Sequence, residues 1–372
     1  MQRIFAPPAR RQGVSSMTWT ERAEQAQQAL ENLYWNPSIQ LYDIEIPCPD
    51  GKCNTIFHYW WMAHAVDALV DGYLRTGSSV YADRLAELHD GIVRRNGGDW
   101  PNELYDDMEW MAIAWLRAFE ATGRKEYKET ADILWADIQT GWNSHMGGGI
   151  AWQKSQLDYK NTPANAPAAI LAARLHRQSG RPEDLAWALK IYEWLKANLV
   201  DAATGFVWDG MNRTGDGTID KDWKFTYCQG VYIGAGVELY RITGDRSYLQ
   251  DAVRTAEAMR RELVHPASGL LPEEGDGDGG LFKGILVRYL GELVAVAPQE
   301  TAITRLLEAQ ASSLWSRGRD PRRQVFSTCW SEPPEERVTL STQLSGIMLL
   351  EQLAAMEKKG LAAMPDSGIA YP

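Results

Sequence analysis

The chain has 372 residues, 45% of them hydrophobic, and no Ser/Pro/Gly-rich linker in its middle, which predicts one large compact domain. Its 38 basic and 49 acidic residues leave a net charge of −11 with no long Lys/Arg block. A phosphate backbone or an anionic membrane surface would be repelled, so nucleic acid and membrane are not expected partners.

Residues 1–17, "MQRIFAPPARRQGVSSM", carry arginines but lack a run of about seven apolar residues, so they read as a disordered tail before a single domain at 18–372. The chain as given is expected to be cytoplasmic, or secreted if a leader has been trimmed. A first helix is predicted over 18–34. In the loop that follows, Cys48 and Cys53 flank a "PDGK" turn. They are expected to be plain thiols, with a disulfide or half of a metal site as alternatives, because no second Cys/His pair with zinc spacing follows. No metal or cofactor is expected.

Four punctuations then recur: "RTGSSVY" at Gly77, "ATGRKEY" at Gly123, "QSGRPED" at Gly180 and "ITGDRSY" at Gly244. Each places Gly where a helix C-cap belongs, just before the start of another helix. The helices before these turns, in "FHYWWMAHAVDALVDGYL", "MEWMAIAWLRAFEA", "APAAILAARL" and "QGVYIGAGVELY", are apolar nearly all round, as burial on every side requires. Those after them keep one wet face, as with Leu249, Val253, Ala256, Met259 and Leu263. With further helices over 281–297, 300–316 and 338–357, the pattern predicts twelve helices, alternately outer and inner. Such hairpins close most simply into an all-α toroid of six inner and six outer helices. Long loops over 35–56, 97–106, 143–163, 201–226, 264–280 and 317–337 all precede inner helices, so one rim collects them, together with the positive ends of the inner helices.

That rim is rich in tryptophan (Trp100, Trp142, Trp152, Trp208, Trp223, Trp330) and in acids (Asp99, Asp106, Asp107, Asp158, Asp209, Asp220, Asp222). Any one Trp can be a plug and any one Asp a cap; as a set they suit the apolar face and the hydroxyls of a sugar. Asp106 and Asp107 are adjacent where an inner helix begins. A non-helical junction would let neighbours hold their carboxyl groups about 5 Å apart, the separation of a retaining glycosidase. The competing reading is a helix cap and dipole partner worth about 1 kcal/mol. Asn161 and Asn165 in "KNTPANAP", with Asp222, Thr226, Tyr227 and Gln229, fall near other inner-helix starts and are candidate hydroxyl ligands or caps. Trp100, Trp152 and Trp208 are candidate sugar platforms. The run "EEGDGDGGLFKG" lacks EF-hand spacing and reads as a Gly-rich rim loop.

"YDDMEWMAIAWLRAFEATG", "DYKNTPANAPAAILAARL", "WKFTYCQGVYIGAGVELYRITGD" and "GLFKGILVRYL" together resemble glycoside hydrolase family 76, the endo-acting α-1,6-mannanases, over about residues 30–355. The resemblance implies a six-hairpin toroid and a retaining double displacement, with Asp106 as nucleophile and Asp107 as acid/base. It implies a mannan or mannose-rich oligosaccharide as partner. It departs at Cys228, where the family's segment leads one to expect Asn. Three other readings stand beside it: a transglycosylase or drifted α-1,6-glycosidase on the same pair, a sugar 2-epimerase of the N-acylglucosamine type using His58, His64 or His176, and a sugar-binding protein without turnover.

Overall fold

A computed structural model describes residues 17–365. The tail expected at 1–17 lies outside these residues except for Met17. Among the described residues there are twelve α-helices: α1 (Trp19–Tyr34), α2 (Tyr59–Thr76), α3 (Ser79–Arg95), α4 (Tyr105–Thr122), α5 (Lys125–Ile138), α6 (Ala166–Ser179), α7 (Pro182–Asn198), α8 (Thr226–Thr243), α9 (Arg246–Leu263), α10 (Gly279–Val296), α11 (Thr301–Ser316) and α12 (Leu340–Lys358).

The even-numbered helices pack in sequence, and α12 returns to α2, closing an inner ring. The odd-numbered helices lie outside it, each against inner neighbours, as the two helix types predict. Gly77, Gly123, Gly180 and Gly244 are left-handed C-caps whose N–H groups bond Tyr73, Phe119, His176 and Tyr240 carbonyls at 2.7–2.9 Å. Glycine takes this conformation without the Cβ penalty that other residues meet. Asp106 lies in the first turn of α4 and Gly123 just past its end, about 25 Å apart along the axis, so the short turns occupy the opposite rim. Close approach of inner helices uses glycine differently: a Cβ on Gly230 of α8 would sit 2.7 Å from the Leu286 backbone of α10.

The interior carries charge as well as hydrocarbon. Asp71 of α2 accepts from Arg117 of α4 (2.7 Å) and from Arg288 of α10 (2.7 Å), while Arg174 of α6 bonds Glu238 of α8 (2.9 Å) and Glu292 of α10 (2.8 Å). These pairs cross-link five of the inner helices toward the Gly rim.

On the loop rim, short strands stiffen the connections: β1 (Trp35–Asn36) with β2 (Leu41–Tyr42), β3 (Glu45–Ile46) with β9 (Val338–Thr339), and β7 (Arg319–Asp320) with β8 (Val325–Phe326). A three-stranded sheet joins the third and fourth long loops, with β5 (Gln156–Asn161) between β4 (Ala151–Gln153) and β6 (Gly210–Met211). Here Cys48 and Cys53 form a disulfide, correcting the expectation of plain thiols. Left-handed Gly51 closes the "PDGK" turn and brings the two Cα atoms within 5.8 Å, inside disulfide range.

Candidate active site

The N-cap of α4 is Leu104, so Asp106 and Asp107 are already the second and third residues of the helix. This corrects two expectations. The junction is helical, and neither aspartate is the cap. Inside a helix neighbours diverge by about 100°, and the two carboxylates acquire different surroundings while both line the same cleft.

Asp106 Oδ1 accepts the Asp107 backbone N–H at 3.0 Å, and its Oδ2 accepts Trp152 Nε1–H from β4 at 3.1 Å. Asp107, only 8% exposed, has a longer contact from Asn102 Nδ2 at 3.5 Å. Burial raises the Asp106 pKa to about 7 against the lowering effect of those two donors. Asp107 is pushed well above the carboxylate range, first by burial, then by the negative charges of Asp106 and Asp278. Donors aimed at Asp106 favour its ionised form, whereas Asp107 is held protonated. Two adjacent carboxyls with separated titrations can divide the work of nucleophile and acid.

The cleft around them holds about 500 Å³ and takes side chains from five of the six long loops and the inner-helix starts behind them. His58, Trp60 and Trp110 stand on one side, Trp152, Tyr159 and Asn161 on the sheet side, and Asp209, Tyr227, Asp278 and Phe282 complete the wall. Phe282 stacks on Tyr227 at 3.9 Å. Asp209 accepts from Tyr159 Oη (3.2 Å) and Tyr227 Oη (3.3 Å). Cys228, at the departure from the resemblance, sets its thiol 3.5 Å from the same carboxylate. Asp278 accepts the indole N–H of Trp60 at 3.0 Å and of Trp61 at 2.8 Å.

Of the residues singled out from sequence, Asp106, Asp107, Trp152, Asn161 and Tyr227 line this cleft; Trp100, Asn165, Trp208, Asp222, Thr226 and Gln229 do not. Trp100 is buried against His89 and Trp115. Trp208 packs on Phe206, and Asp222 is exposed and not among the residues that line the cleft. Thr226 is held by Glu274, which accepts both its N–H and its hydroxyl. Asn165 and Gln229 are amide clamps. Asn165 accepts from Ile150 N–H (2.8 Å) and donates to Ile150 O (2.9 Å); Gln229 does the same with Val207 (2.9 and 2.6 Å).

Sequence reading counted Asp209 and Trp223 among the rim residues without assigning them to the site, though both line the cleft, and missed Asp278, Tyr159, Trp60, Trp110 and Phe282. A signal for Asp278 was present: like the Asp pair, it directly precedes or opens an inner helix. The histidines required by an epimerase are not assembled. His58 precedes α2 at the cleft and stacks on Trp61, His64 is buried between Trp60 and Trp110, and His176 is at the Gly rim bonded to Arg181 O. Among the described residues the one cluster with metal-ligating spacing is Cys48, Asp50 and Cys53, whose sulfurs are spent on the disulfide.

Residues 18–364 match the model of the family described as Glycosyl hydrolase family 76. Mannan endo-1,6-alpha-mannosidase DCW1 of Saccharomyces cerevisiae is 27% identical over 281 residues, a match spanning 67% of this chain and 61% of the yeast protein. The GH76A alpha-1,6-mannanase of Salegentibacter sp. HEL1_6 superposes with a TM-score of 0.86 at 41% identity, covering 91% of this chain and 99% of that one. Its variant with two consecutive aspartates replaced by asparagine is inactive and was solved with alpha-1,6-mannotriose. The Lin0763 protein of Listeria innocua gives a TM-score of 0.87 at 40% identity, covering 92% and 99%. With the match running through nearly all of the toroid and its rim loops, the chain belongs to glycosyl hydrolase family 76.

Proposed function

We propose that this chain is a retaining, endo-acting glycoside hydrolase that cleaves α-1,6-mannosidic linkages in mannan or mannose-rich oligosaccharides. The observation that carries the proposal is the unequal treatment of two adjacent carboxyls, donors on Asp106 and burial beside negative charge on Asp107. The inactive aspartate-pair variant of the Salegentibacter relative supports it. In the proposed reaction an Asp106 oxygen attacks the anomeric carbon while Asp107 gives its proton to the departing glycosidic oxygen. Asp107, now a carboxylate, then takes a proton from water, whose oxygen displaces Asp106 and restores the anomeric configuration.

Proton NMR of the first product released from an α-1,6-mannooligosaccharide tests this directly: the α-anomer is expected, and initial release of the β-anomer overturns double displacement. Asp106→Asn is expected to lose turnover on every substrate. Asp107→Asn should keep activity on substrates with an activated leaving group and should be accelerated by azide, giving the azide with retained configuration. If azide instead rescues Asp106→Asn with retained configuration and leaves Asp107→Asn unaffected, the roles are exchanged. The Cys48–Cys53 disulfide supports action in an oxidising compartment.

A further inference from the structure

Beyond β6 the chain forms a small projecting hairpin at the mouth of the cleft. Asn212, left-handed at φ 65, donates its N–H to Thr218 O (2.8 Å), and Asp220 N–H returns to Gly210 O (2.9 Å). The Asn212 side chain fastens the hairpin to the sheet, donating to Asp158 O (3.0 Å) and accepting from Gly217 N–H (2.8 Å). Arg213 bonds Asp220 through Nη2 (2.8 Å) and Nε (3.2 Å) and lays its guanidinium over the ring of Trp223.

Trp223 lines the cleft yet is 44% exposed, the most exposed aromatic there. A plug would be buried. A large apolar ring left in water, backed by a stacked arginine that is itself fixed by a carboxylate, is a surface prepared for another flat apolar face. It stands away from the chemistry: Phe225 is 5.7 Å from Trp223, centroid to centroid, and Tyr227 a further 6.0 Å from Phe225. On the other side Arg213 and Tyr159 separate it from Trp152, the donor to Asp106.

We propose that Trp223 is a stacking platform for a sugar ring outside the cleaved linkage, held in place by Arg213 and Asp220, and that it sets the enzyme's preference for longer chains. The proposal rests on the α-1,6-mannanase reading for the identity of the sugar. Aromatic contacts of this size correspond to about a tenfold change in affinity.

The experiment compares α-1,6-mannobiose with α-1,6-mannotetraose in two ways. In the Asp106→Asn/Asp107→Asn background, calorimetry measures binding with and without Trp223→Ala; in the active enzyme, kcat/KM is measured on both sugars. Trp223→Ala is expected to weaken tetraose binding and lower kcat/KM on tetraose by about tenfold, with mannobiose unchanged and Tm unaltered. Trp223→Phe should recover part of the loss, and Arg213→Ala should reproduce it in smaller measure. Equal losses on both sugars, or none on either, overturn the platform. Tight tetraose binding that depends on Trp223, with no cleavage by the unmodified enzyme, overturns the hydrolase reading and leaves the platform standing. Failure of the Asn/Asn variant to bind either sugar overturns the platform as a mannosyl site.

Discussion

At the scale of single residues, the chemistry depends on how differently two neighbours are solvated. Trp152 donates to Asp106, which must be ionised to attack, so its N–H lowers the Asp106 pKa. Trp152→Phe removes that donor, and the acid limb of the kcat/KM profile should move to higher pH. A hydrogen bond to a charged group is worth roughly 1.5–3 kcal/mol, so the move is about one to two pH units. The other limb reports Asp107, which must be protonated to act as acid. Asp278 contributes to its raised pKa, so Asp278→Asn should shift the basic limb toward lower pH. Because Asp278 is exposed, that shift should be small and should shrink as salt is added, which a titration at two ionic strengths reads out. Movement of the acid limb by Asp278→Asn, or of neither limb by either substitution, would contradict the division of roles.

At the scale of elements, the inner helices hold their own entrance loops by side-chain amides. Asn165 clamps Ile150 and Gln229 clamps Val207; Gln343 of α12 reaches Phe326 N–H (3.2 Å) and Gln324 O (3.3 Å), and Gln310 of the outer helix α11 does likewise for Leu271 N–H (3.0 Å) and Gly269 O (2.9 Å). Each clamp replaces a strand partner for backbone groups that would otherwise be buried without one. Gln229→Met should therefore cost about 1–3 kcal/mol, seen as a lower Tm, and should also lower kcat/KM because the clamped loop carries Asp209. An unchanged Tm would show that water replaces the amide. The helices themselves were legible because their apolar spacing and Gly stops are local signals. The amides were not, since Asn and Gln offer the same donors and acceptors to a sugar hydroxyl as to a backbone, and only the fold decides which they meet. Asn161 lies in the cleft and Asn165, four residues later, is fully buried on Ile150, a distinction that composition does not carry. Tyr159 was hidden for the related reason that a cleft is assembled from loops far apart in sequence.

At the scale of the whole molecule, the toroid places its active cleft at one end of the inner ring and its ion pairs toward the other. A trace of those pairs was readable: Asp67, which also pairs with Arg117, and Asp71 are four apart on one face of α2, and Arg117 and Arg174 each stand six residues before a capping glycine. Their energetics are conditional. Desolvation offsets much of the attraction within a buried pair, but removing one member strands the other charge at a cost of about 3–5 kcal/mol. Burial acts to raise the Asp71 pKa, yet Arg288 and Arg117 outweigh it and leave the pKa depressed. A depressed carboxylate adds stability that is present above its unfolded pKa of about 3.9 and disappears as pH falls through the lower folded value. Arg288→Met should lower Tm strongly at neutral pH, since Asp71 then keeps only Arg117. Its folded pKa should rise, so the variant has less of this stability left to lose in acid. The difference in Tm between the two proteins is therefore expected to narrow as pH drops below about 4. Thermal unfolding followed from neutral pH into that range checks it: a constant gap would mean that Arg288 stabilises the ring through packing of its alkyl stem and not through its charge on Asp71.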